Sequence, residues 1–135
     1  MGLKEIRKNI VKNFEERKEK ISEESKIVDE IRTEIKIADS YFKSKNYTMS
    51  FFMFFKALKM MCVFYLTKQH GKIDELSDLD ALFFVSKKDG FPFNEKVARN
   101  FLNKFDLVLS RKELEKNDCI EIQRVVKDMR EKIGI

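Results

Sequence analysis

A chain of 135 residues that is 43% hydrophobic can bury one core of ordinary size without disulfide or metal staples. Four glycines and one proline leave too few tight turns for a strand-rich sheet, and the 38% of charged residues suits the exposed faces of long helices instead. The net charge of +5 comes from 28 basic against 23 acidic residues; signs this mixed describe solvated helix faces more than a dedicated nucleic-acid binder, whose basic groups gather on one surface.

From the amino end, Leu3 to Lys20 is dense in charge, with Ile6, Ile10, Val11 and Phe14 on one narrow stripe. This predicts a charged amphipathic helix over residues 1–22. Ser22-Glu-Glu-Ser25 offers an N-cap followed by acids, so a break is expected near Ser22, with a bundle domain over residues 23–135. Val28, Ile31, Ile35, Ala38 and Phe42 share a helical face. Ser44-Lys-Asn46 then makes a short connection. Tyr47 to Leu66 is apolar around nearly its whole circumference and rich in Phe and Met. A helix of that kind is either a protein centre or a membrane span. Lys56 and Lys59 break up the run of ~20 apolar residues that a bilayer requires, so the expectation is the central helix of a soluble bundle, capped by Asn46 or Thr48 and ending near His70-Gly71.

Ser77 with Asp78 and Asp80 caps a shorter helix whose Leu79, Leu82 and Phe83 are expected to face inward. Asp89-Gly90 and Pro92 turn the chain, and Asn94 starts a helix carrying Val97, Ala98, Phe101, Leu102, Phe105 and Leu109. Ser110-Arg-Lys-Glu113 has the form of a capping box without an apolar continuation, so a turn is expected. The last helix begins near Asn117 or Asp118 and carries Cys119, Ile122, Val126, Met129 and Ile133. The fold class is therefore all-α: an antiparallel up-and-down bundle of about five helices, with an added charged N-terminal helix.

Self-sufficient catalytic chemistry is missing from the pattern. His70 is the one histidine, with only Lys68, Lys72 and Asp74 as titratable neighbours in sequence; a cation at a helix C-terminus explains it. The carboxylate pairs Glu15-Glu16, Glu23-Glu24 and Asp78/Asp80 lack a Glu-x-x-His companion, and no metal or cofactor is expected. The scattered glycines form no phosphate loop. Cys62 and Cys119 stand apart without a CxxC, which with the absence of an apolar leader predicts a cytoplasmic protein. The most unusual charges are Lys56 and Lys59, on one face of the apolar helix. With Arg99 and Arg111 they are the candidate anion-binding or nucleic-acid-binding residues; the alternative for the lysines is that their stems lie along the core while the ammonium groups reach water. Phe91 and Phe93, amid basic groups, can stack single-stranded bases or anchor a loop. The apolar circumference of the central helix also favours a homodimer.

Ile37-Ala38-Asp-Ser-Tyr41-Phe42-Lys-Ser-Lys-Asn46-Tyr47, then Ser50, Phe54 to Leu58, Tyr65-Leu66 and Gly71, resemble a HEPN domain, the higher-eukaryote and prokaryote nucleotide-binding helical family. Ser77-Asp-Leu-Asp-Ala-Leu82 resembles its His-Asp-Leu-x-x-Leu segment, with Ser77 in place of the His. The resemblance spans roughly residues 28 to 133. It implies a four- or five-helix, commonly dimeric bundle, often encoded with a minimal nucleotidyltransferase and in many members an RNase of toxin or defence systems. Nuclease members use an Arg followed four to six residues on by His; here Arg99-Asn100 is followed by Lys104 and Phe105. The expectation is thus a noncatalytic relative that binds a protein partner, such as a nucleotidyltransferase, or an anionic nucleotide or nucleic acid. A ribonuclease using Arg99, and a purely structural dimeric scaffold docking through the N-terminal helix, are the alternatives. No membrane association is expected.

Overall fold

The computed structural model describes residues 2–71 and 75–135. Five helices make up its secondary structure, and among the described residues there is no strand. They are α1 (Leu3–Lys43), α2 (Tyr47–His70), α3 (Asp78–Ser86), α4 (Glu95–Leu109) and α5 (Lys116–Ile133). The chain divides into two compact units, residues 1–30 and 31–135.

The expected break at Ser22 is absent, because α1 runs unbroken through it. The segment from 3 to 43 contains neither Gly nor Pro, and the Glu and Lys residues around Ser22 and Ser25 are good helix formers, so two serines do not suffice to stop propagation. Within the first unit, Leu3, Ile6, Ile10, Val11, Phe14 and Ile27 are all exposed. A lone helix has nothing of its own to bury them against.

The second unit is built around α2. Phe51, Phe55, Ala57, Leu58, Met61 and Cys62 are wholly buried, and only Lys56 and the last turn, Lys68 to His70, are exposed. Helices α5, α3 and α4 pack on it, while α1 contributes Ile31, Ile35 and Ala38 from one face. At 24 residues α2 runs from the Asn46 cap to His70, as the sequence suggested, and by length and composition it can cross a membrane. Its apolar surface meets protein instead: rings of α2 and α4 pair directly, Phe51 with Phe101 at 6.2 Å, Phe52 with Phe105 at 5.8 Å and Phe55 with Phe105 at 5.2 Å between centroids. Each fully buried Phe contributes roughly 1.5–3 kcal/mol. Ser50, also buried, donates from Oγ to the Ala38 carbonyl at 2.9 Å and fixes α1 against α2.

The helix ends follow the local sequence closely. Asn46, Ser77 and Asn94 accept from the backbone N–H three residues on, at 3.2, 3.0 and 3.0 Å, the ordinary N-cap bond. Gly71 closes α2 at φ 77. The last helix starts slightly earlier than expected, and its capping box is formed by Glu115 and Asp118, leaving Ser110 to Glu113 as the turn. Of the expected inward residues, Leu82, Ala98, Phe101, Cys119, Ile122, Val126 and Met129 are buried, whereas Leu109 is 63% exposed at the end of α4. Phe93 is buried, and Phe91 makes a T-shaped contact with Tyr65 at 4.9 Å and has the Lys132 ammonium over its ring at 5.5 Å. Both rings anchor the α3–α4 loop.

Candidate anion-binding site

The four candidate cations occupy four separate settings. Lys56 Nζ pairs with Glu34 Oε1 at 3.1 Å. Glu34 is buried on α1, and its second oxygen finds no hydrogen-bond partner, so the lysine neutralises a carboxylate that the core has desolvated. Lys59, one turn further, is nearly buried; it pairs with Asp78 Oδ2 at 3.3 Å and sits over the Phe55 and Phe105 rings at 4.9 and 5.2 Å. Its stem and head tie α2 to α3 and α4. Arg99 donates to Glu95 Oε1 at 2.8 Å across one turn of α4, and that bond, with the guanidinium charge, holds the Glu95 carboxyl below its usual pKa. Lys96, Asn100 and Asn103 share that shallow surface.

Arg111 differs: among the described residues it has no carboxylate within ion-pair distance. It lines a cleft of about 500 Å³ between the α1–α2 connection and the α4–α5 connection, with Lys45 and Lys112 as further cations and Glu113 as the lone acid. The lining includes the N-cap Asn46 with Tyr47, Thr48 and Met49 of the first turn of α2, a turn that contains no acidic residue. A 24-residue helix therefore presents its positive end to the cleft with no acid in its own first turn.

Two helix ends build the rim. At the end of α1 the Asn46 N–H donates to the Tyr41 carbonyl and the Lys45 N–H to the Phe42 carbonyl; at the end of α4 the Lys112 N–H donates to Leu107 and the Arg111 N–H to Val108. Both are Schellman caps, whose left-handed position ordinarily belongs to Gly. Here that position is Lys45 at φ 64 and Arg111 at φ 60. A side chain there costs about 1 kcal/mol relative to glycine. Among the described residues only three non-glycines have positive φ, and two of them are cations on one cleft. The walls are tied together: the Leu114 N–H donates to Thr48 Oγ1 at 2.9 Å, and Cys119 Sγ donates to the Tyr47 carbonyl at 2.9 Å.

Burial pushes the Cys119 thiol up to about 11 and the Cys62 thiol well above its ordinary range, so neither is poised as a nucleophile. His70 lies exposed in the last turn of α2; Lys72 and Asp74, its sequence neighbours, fall outside the described residues. Among the described residues, no group of three or more His, Cys, Asp or Glu is placed to hold a metal ion.

Sequence reasoning singled out Arg111 but missed Lys45 and the cleft. The signal was present in negative form: the chain leaves two helices, after Lys43 and after Leu109, with a basic residue where a glycine is expected. No family model matches the chain, and neither a curated protein nor a solved structure matches it.

Proposed function

We propose that this protein is a helical binding module that captures an anionic group, the phosphate of a nucleotide or nucleic acid, in the cleft edged by Lys45, Arg111 and Lys112. One observation carries the reading: two cations are held in strained left-handed positions on opposite rims of a single cleft that also receives the positive end of α2. Strain kept where glycine would relieve it is how binding sites are commonly marked. The partners of Lys56, Lys59 and Arg99 account for those three charges within the fold, so the site shifts from the central helix to the connections. The resemblance of residues 28 to 133 to nucleotide-binding HEPN domains points the same way.

The test is a titration of the full chain with fluorescent single-stranded RNA and, separately, with ATP, across a salt series. Binding should weaken steeply with salt. Lys45→Gly/Arg111→Gly should lose most of it while unfolding at the same or a higher temperature, because glycine suits both backbones. Binding that is unchanged in this variant, or absent at low salt with both probes, rejects the reading. Cleavage of the RNA that disappears in Arg99→Ala would establish the ribonuclease alternative in its place.

A further inference from the structure

Residues 3 to 30 of α1 form a stretch of helix about 40 Å long at 1.5 Å per residue, and among the described residues they carry the two most exposed large apolar side chains, Leu3 at 75% and Phe14 at 69%, with Ile10 at 63%. Stripes of this kind mark contact surfaces. The three-four spacing that places Ile31, Ile35 and Ala38 in the core reads back through the sequence as two heptad rows. One row is Arg7, Phe14, Ile21 and Val28; the other is Leu3, Ile10, Arg17 and Glu24.

Charge along this stretch is divided. Residues 2 to 14 carry four bases against one acid, whereas residues 15 to 30 carry seven acids against four bases. A copy of the same helix laid antiparallel therefore sets the basic half of each against the acidic half of the other. With positions 14 and 17 facing across the two-fold axis, every seam layer is complementary in residue type. Leu3 meets Val28, Arg7 meets Glu24, Ile10 falls opposite position 21, also an isoleucine in the sequence, and Phe14 meets Arg17 as a cation over a ring. On the flank Ile6 comes opposite Ile27, both of them exposed in the single chain.

The alternatives are penalised. A parallel pair stacks Arg7, Arg17 and Glu24 each on its own copy. Slipping the antiparallel pair by one heptad sets Arg7 on Arg17 in one direction and Phe14 on Glu24 in the other. One alignment satisfies the sequence and its neighbours do not, which is how paired helices specify their register.

We infer that the occupant of this face is a second copy of the chain, joined through an antiparallel pairing of residues 3–30 of α1 into an isologous dimer. The inference is independent of the cleft and of what it binds.

Sedimentation equilibrium of the full chain over a concentration series tests it, with circular dichroism to show that each variant keeps its helix content. The wild type should be a dimer. Arg7→Glu alone leaves two acids facing each other in the layer of positions 7 and 24, and Glu24→Arg alone leaves two bases there, so each should dissociate about tenfold or more readily. Mixed one to one, the two variants should restore a dimer made of one chain of each, visible by native mass spectrometry. A monomeric wild type, a dimer indifferent to both substitutions, or a mixture that fails to recover would overturn the proposal. So would a monomer that co-sediments with vesicles of phosphatidylcholine and phosphatidylglycerol, since the stripe would then be a lipid-facing surface.

Discussion

Residues 31 to 42 and residues 3 to 28 share a spacing of apolar positions on the same 41-residue helix, yet their side chains meet opposite fates. Ile31, Ile35 and Ala38 are at most 5% exposed, whereas Leu3, Ile10 and Phe14 are more than 60% exposed. The difference lies not in propensity or pattern but in what each unit holds: residues 31–135 include further helices to cover the face, and residues 1–30 are a single helix. Amphipathic spacing states that a face is to be covered and leaves open what covers it, since most helix stability in proteins comes from packing.

The sharpest way to break that contrast is a pair of identical substitutions. Phe51→Ala removes a fully buried ring that contacts Phe55 and Phe101 and should cost about 3–5 kcal/mol in urea unfolding. Phe14→Ala should change the stability of the core domain by no more than about 0.5 kcal/mol. Comparable losses from both would mean that the amino-terminal stretch is integral to the core.

Next in size is the pH dependence carried by the buried thiols. Burial favours the protonated form of Cys119, so its contribution to stability is complete below the ordinary thiol value of 9 and disappears as pH rises towards about 11. The loss is on the order of 2 kcal/mol. Cys119→Ser keeps a donor to the Tyr47 carbonyl and removes the titration, so the decline measured by urea unfolding between pH 9 and 11 should flatten. An unaltered slope would place its origin elsewhere.

Lys56→Ala strips Glu34 of its partner and should destabilise by about 1–3 kcal/mol, discounted from a fully buried pair because the lysine head is half-exposed. Adding Glu34→Gln should recover much of that loss. A double variant as unstable as the single one would show that packing of the lysine stem dominates. Smallest is the effect of relieving the left-handed positions: Lys45→Gly and Arg111→Gly should each alter stability by between zero and a gain of about 1 kcal/mol. A loss of more than that would mean their side chains are structural.

These contrasts mark what can be read from the residues. Caps and breakers act within a turn, so Asn46, Gly71, Ser77 and Asn94 located helix ends from sequence alone, and the all-round apolar character of α2 with the apolar periodicity of α4 and α5 picked out most of the core. Ser22 misled because a capping residue competes with a strong helical neighbourhood and here loses. Glu34 was invisible as a buried group: its acceptance into the core depends on Lys56, 22 residues away. Basic residues at two glycine positions were legible one by one, but their meeting in one cleft was not, since Lys45 and Arg111 come together only through bonds such as Thr48 to Leu114, 66 residues apart.

The central position of α2 has a consequence for biogenesis. The helix leaves the ribosome before α3, α4 and α5, and α5, its most extensive cover, is made last. At a synthesis rate of 5–20 residues per second, roughly 3 to 12 s pass between completion of His70 and completion of Ile133. Throughout that interval a nascent segment as greasy and as long as a bilayer anchor is only partly sheltered by α1, which makes this stretch of translation the stage at which the chain most depends on chaperone capture and is most open to mistaken delivery to a membrane.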